Sequence, residues 1–243
     1  MSTLHSGVDE IHLSPLDIIV GTHGPDTIIG TDGDDTIAAG NGNDFIDAGN
    51  GNDTVIAGAG DDDLHGGDGN DILLGDDAGA GNGDDRMFGD NGDDEIIGGV
   101  GNNELHGGAG DDYIIAGQVG GSESVRVDGN STLFGDEGND HLIGGTGADQ
   151  LTGGVGDDTL TGGVGADTFI FNTAAEGVEY DMITDFHSGV DVVQLDGVGA
   201  DFDVTAHLTQ TEAGAVLDTG TGQQILFAGE AVDQIHATDF HLT

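Results

Sequence analysis

The stretch GNGNDFIDAGNGNDTVIAGAGDD, Gly40–Asp62, decides the fold. Glycine has the most backbone freedom to lose on folding, and neighbouring carboxylates repel one another. Composition alone would make it a disordered acidic linker. Its spacing says otherwise, because Asp44, Asp53 and Asp62 stand nine residues apart, with Ile46, Val55 and Leu64 two residues behind each.

The same frame extends in both directions. Six blocks run without a gap from Gly21 to Leu74: GTHGPDTII, GTDGDDTIA, AGNGNDFID, AGNGNDTVI, AGAGDDDLH and GGDGNDILL. After an insert at 75–79, four more cover Ala80 to Ile115; after a second at 116–125, five more cover Arg126 to Ile170. The second insert reads either as a surface loop or as part of a worn block with Glu123 in the acidic place. About fifteen blocks result, with glycine fourth, an acid sixth and an apolar residue eighth. Asn103 and Ser131 stand where the acid is expected, which puts a ligand in doubt at each.

Glycines at the second and fourth places permit tight turns, and the last three residues suit a short strand. Alternation then points the eighth residue inward: Ile28, Ile37, Ile46, Val55, Leu64, Leu73, Met87, Ile96, Leu105, Ile114, Leu133, Leu142, Leu151, Leu160 and Phe169. Two blocks per coil stack these into a right-handed parallel β-roll, an all-β solenoid in which block n lies on block n+2. The ninth places form outward columns. One reads Ala38, Ile56, Leu74, Ile97, Ile115, Ile143, Thr161; the other is mixed and includes His65, Phe88, His106 and Phe134. An exposed apolar column points to self-association, or to cover by the chain's ends. His65 and His106 read either as sheet-surface residues or as a metal or proton site.

The 243 residues carry 48 Asp plus Glu against two Lys plus Arg, a formal charge of −46, and no Cys. Such a chain repels nucleic-acid phosphate and anionic lipid, and lacks disulfides and thiolate zinc sites. One apolar residue per nine is a thin core for so much ordered glycine, so a ligand of the folded state is expected to supply the difference. Clustered carboxylates with loop carbonyls are hard oxygen donors suited to Ca²⁺.

These blocks resemble the repeats-in-toxin (RTX) nonapeptide G-G-x-G-x-D-x-U-x, which binds calcium between same-side loops of adjacent coils. The resemblance implies as ligands Asp26, Asp35, Asp44, Asp53, Asp62, Asp71, Asp85, Asp94, Asp112, Asp140, Asp149, Asp158 and Asp167, for on the order of ten Ca²⁺ ions. Past Ile170 the glycine period stops, and GADTFIFNTAAEGVEYDMITDFHSGVDVVQLDG resembles the C-terminal region of serralysin-type secreted proteins. The end ATDFHLT is similar to a type I secretion signal, with His241 and Thr243 where apolar residues are commoner. The implied organisation is an N-terminal segment 1–20, the roll 21–170, and a region 171–243 holding a small antiparallel cap and an address read by a type I exporter. That fits residues 1–20, which lack the basic start and apolar run of a Sec signal peptide.

No apolar run is long enough to span a bilayer as a helix. No H-E-x-x-H and no G-x-S-x-G is present, so no enzyme is expected. The expected function is a secreted calcium-binding protein that folds outside the cell and acts as an extracellular binding, matrix or adhesion module, with another copy or a surface polysaccharide as partner. The rival readings are a membrane-active pore former and, behind it, a calcium-dependent enzyme acting on polysaccharide.

Overall fold

A computed structural model describes residues 2–3, 18–76, 83–117, 129–173 and 179–243. The insert positions 77–79 and 118–125, and with them the two readings of Glu123, lie outside the described residues, as does Arg126.

Strands from alternate blocks fall into two sheets. The first receives Ile18–Val20, Thr36–Asn41, Thr54–Ala59, Ile72–Asp76, Glu95–Ile97, Tyr113–Ile115, His141–Thr146 and Thr159–Val164; the second takes Thr27–Thr31, Phe45–Asn50, Asp63–Asp68, Arg86–Asn91, Glu104–Ala109, Thr132–Glu137, Gln150–Val155 and Thr168–Asn172. Pairing along each is parallel and in register, as in Val55 with Leu73 and Leu105 with Leu133. The architecture is therefore the parallel β-roll expected from the period, with block n against block n+2. Many strands are six residues long, running from the seventh place of one block into the third of the next. The small first residue, Ala48 or Ala57, is inward and fully buried, so the pleat continues across the block boundary.

All fifteen eighth-place side chains are buried, none more than 2 % exposed. Two such columns, one per sheet, meet between the sheets and form the core.

Parallel stacking does not stop at Ile170. Glu179–Ile183 joins the first sheet and Val192–Asp196 the second, each parallel to the strand before it. Among the described residues antiparallel pairing is confined to Leu208–Gln210, Gly214–Asp218 and Gln223–Ala228 at the end of the first sheet. Phe240–Leu242 closes the second sheet, parallel to Val193–Leu195. The end of the core is filled by a chain of rings: Phe169, Phe186, Phe227 and Phe240 have successive centroids 6.3, 5.0 and 6.1 Å apart.

Candidate metal centre

The sixth-place aspartates form two rails, one along each edge of the roll. Each backbone N–H donates to Oδ1 of the carboxylate one coil further on. On the first rail the bonds run from Asp35 to Asp53, Asp71, Asp94, Asp112, Asp140 and Asp158 in turn, at 2.6–2.9 Å. On the second they run from Asp26 to Asp44, Asp62 and Asp85, at 2.7–3.0 Å. There the rail passes through the two departures, since Asp85 donates to Oδ1 of Asn103 and Asn103 to Oγ of Ser131. Ser131 donates to Asp149, and Asp149 to Asp167. The thirteen aspartates named from the repeat are thus all rungs of one of these rails.

Both rails continue past the glycine-rich blocks. Asp158 donates to Asp181 at 3.0 Å, and Asp167 to Asp191 at 3.1 Å. Sequence reasoning passed over these two because the nine-residue spacing breaks after Asp167 and the paired glycines are incomplete, Glu179 standing two places before Asp181 while Asp191 keeps Gly189. The surviving signal is an apolar residue two places on, Ile183 and Val193, both fully buried.

A carboxylate offers two oxygens, and the interlock uses one. For Asp44, Asp53, Asp62, Asp71, Asp85, Asp94, Asp112, Asp140 and Asp158, Oδ2 is buried with no hydrogen-bond partner among the described residues. These residues are at most 3 % exposed. A buried, unpartnered carboxylate oxygen is strongly disfavoured, so each needs a proton or a cation. Burial does drive proton uptake: it pushes Asp53 and Asp71 up to about 6, Asp94, Asp112, Asp140 and Asp158 to about 7, and Asp85 to about 8. Donated N–H bonds oppose this rise, and neighbouring carboxylates in most cases add to it.

The donor set fits a hard cation. Beside Asp112 Oδ2 lies Gly107, where a Cβ would come within 2.1 Å of that oxygen and 2.7 Å of the Gly135 carbonyl oxygen. The first-place glycine leaves room where a carboxylate and a carbonyl of the next coil converge. Among the described residues, no three carboxylate, imidazole or thiolate side chains gather round one point. Side chains alone therefore do not make the cage; carbonyls must complete it, as calcium's six to eight oxygen ligands allow.

The RTX calcium-binding nonapeptide repeat (4 copies) matches residues 17–46, 47–78, 79–114, 128–151 and 134–169, more than half of the chain. The chain belongs to this family. Thirty-three chains of solved structures match this RTX chain. Extracellular lipase LipA from Serratia marcescens is 23 % identical, with a TM-score of 0.43, over 96 % of this chain and 41 % of the lipase. The AlgE6R3 subunit of the Azotobacter vinelandii mannuronan C5-epimerase is 24 % identical, with a TM-score of 0.36, over 59 % of this chain and 80 % of that subunit. The RTX chain thus spans about two-fifths of the lipase's length. No curated protein matches it.

The two histidines singled out by their equivalent places lie on the outward face of the second sheet, away from the rails. His65 stacks on Phe88 at 4.7 Å, Phe88 on His106 at 4.8 Å, and His106 on Phe134 at 4.5 Å. They do not meet; Phe88 lies between them.

Proposed function

We propose that this RTX protein is a secreted calcium-dependent module, unfolded where calcium is scarce and folded as a β-roll once outside the cell. The observation that carries the reading is the pair of rails: nine buried carboxylate oxygens with no partner among the described residues, within a chain of net charge −46. Without a cation the roll must hold protons or repel itself; with calcium, ion binding and folding become one event. Extracellular calcium modules have dissociation constants of about 10⁻⁴–10⁻³ M, so such sites stay empty in a cytosol and fill outside it.

The export address is assigned to the C-terminal segment on its likeness to type I secretion signals. In the folded chain Phe240 is buried and Asp239 accepts hydrogen bonds from the Ser188 hydroxyl at 2.7 Å and the Gly189 N–H at 3.1 Å. An address held this way is legible only before folding. We assign the outward faces, rather than any catalytic group, to the extracellular binding or matrix role. Among the described residues no helix is long and apolar enough to cross a membrane.

Circular dichroism during calcium titration tests the reading. A chelated chain at neutral pH is expected to show a coil spectrum, converting to a strand spectrum in millimolar calcium and back on chelation. A strand spectrum independent of calcium would overturn it.

A further inference from the structure

We propose that calcium occupies only those rungs whose Oδ2 is open, and that both rails are shut off at their ends, and the second also at Asn103, by the protein's own hydrogen-bond donors. The proposal rests on the calcium reading above and divides the aspartates that the repeat pattern treats alike.

The first two rungs differ from those that follow. In blocks one and two the second place holds Thr22 and Thr31, where most later blocks hold glycine at positive φ, such as Gly49 at 109°, and two hold an aspartate at positive φ, Asp90 and Asp136. Among the described residues the only non-glycine residues with positive φ are Asp90 and Asp136. Threonine is β-branched and avoids that region. Its N–H turns instead onto the rung of its own block. Thr22 donates to Asp26 Oδ2 from its N–H at 2.6 Å and its hydroxyl at 3.0 Å. Thr31 does the same to Asp35 Oδ2 at 2.7 and 2.9 Å.

The far ends are closed by other donors to the same oxygen. Gln223 Nε2 donates to Asp181 Oδ2 at 2.9 Å, and the His187 N–H to Asp191 Oδ2 at 2.7 Å. In mid-rail the closure is by substitution. Asn103 Oδ1 accepts from the Asp85 N–H at 2.9 Å, while Nδ2 donates to the Ala116 carbonyl at 3.3 Å, so its partners fix which way the amide points. An NH₂ group thus lies beside Gly98, 2.6 Å from where a Cβ there would sit, the counterpart of Oδ2 beside Gly107. An amide donor repels a cation and leaves no charge to neutralise. Ser131, next on that rail, has no carboxylate. On the second rail the open rungs Asp44, Asp62 and Asp85 therefore end at Asn103, while on the first they run without a break from Asp53 to Asp158.

Equilibrium dialysis of the full chain, stripped with chelator and returned to saturating calcium, counts ions per chain. Asp26→Asn and Asp35→Asn are expected to leave the count unchanged, Asp112→Asn to lower it by at least one, and Asn103→Asp to raise it by one. A lost ion in Asp26→Asn or Asp35→Asn, or an unchanged count in an Asn103→Asp chain that still folds with calcium, overturns the proposal. Should Asn103→Asp not fold, the Asp26 and Asp35 variants decide alone. A native chain that binds no calcium would instead overturn the functional reading beneath it.

Discussion

At the scale of the residue, two neighbours of one carboxylate carry the design: the preceding coil's N–H, which takes Oδ1, and the glycine five places upstream, which makes room at Oδ2. Adding a methyl group at Gly107 fills that room. Gly107→Ala is expected to raise the calcium concentration at the folding midpoint on the order of tenfold, a change of about 1.4 kcal/mol. Gly24→Ala, where a Cβ meets nothing within 4 Å, is expected to leave it unchanged. Calcium titrations of the two variants, followed by circular dichroism, check the contrast. The sixth-place acids were legible because the period labels them. Which of their oxygens stays open was not, since it depends on threonine, glutamine and backbone donors that carry no period.

At the scale of the element, each strand sets its eighth-place residue inward between two outward ones, and parallel pairing without slippage turns every repeat place into a column. The eighth-place column was legible in full, because an apolar residue recurs there in every block; the inward turn of the first place, as at Ala48 and Ala57, was not. The outward columns were legible as lists, and the pairing of Ile56 with Leu74, Ile97, Ile115 and Ile143 in turn makes one list a continuous ridge. If that ridge meets a second copy, Ile97→Lys with Ile115→Lys is expected to reduce the mass seen by light scattering in millimolar calcium to the monomer's. A native chain already monomeric would reject self-association. On the opposite sheet the ring stack is bordered by acids, Asp90 at 3.3 Å from His65 Nδ1, and Asp136 and Glu104 at 3.4 and 3.3 Å from the two nitrogens of His106. The Asp136 hydrogen bond above all raises the pKa of His106. Sequence reasoning already set Phe88 between the two histidines in one column; the assembled sheet adds that the three rings stack nearly parallel, so the imidazoles do not meet. Beyond Ile170, the strands around Asp181 and Asp191 show that the coil outlasts its nine-residue spacing, whose loss hid the continuation.

At the scale of the whole molecule, the carboxyl groups make folding depend on protons as well as calcium. Their folded pKa values, about 6 to 8 for Asp53, Asp71 and Asp85 among others, lie above the ordinary 3.8. Across that interval the metal-free roll binds more protons than the unfolded chain, so its stability falls as pH rises from about 4 to about 8. Calcium displaces those protons. A chelated chain is therefore expected to gain strand signal between pH 8 and pH 5, while the calcium midpoint moves to higher concentration over the same descent. Paired pH and calcium titrations check both trends, and a midpoint independent of pH would contradict them. Pairing at a step of two blocks has a further consequence, for parity. Adding or removing two blocks lengthens or shortens the roll and leaves every later strand on its own sheet. Adding or removing one transfers all later strands to the other sheet, so that the isoleucine ridge and the histidine–phenylalanine stack each break and resume on the opposite side. Variation in repeat number should therefore come in twos wherever an outward face has a task, and an odd step would mark a stretch whose faces have none.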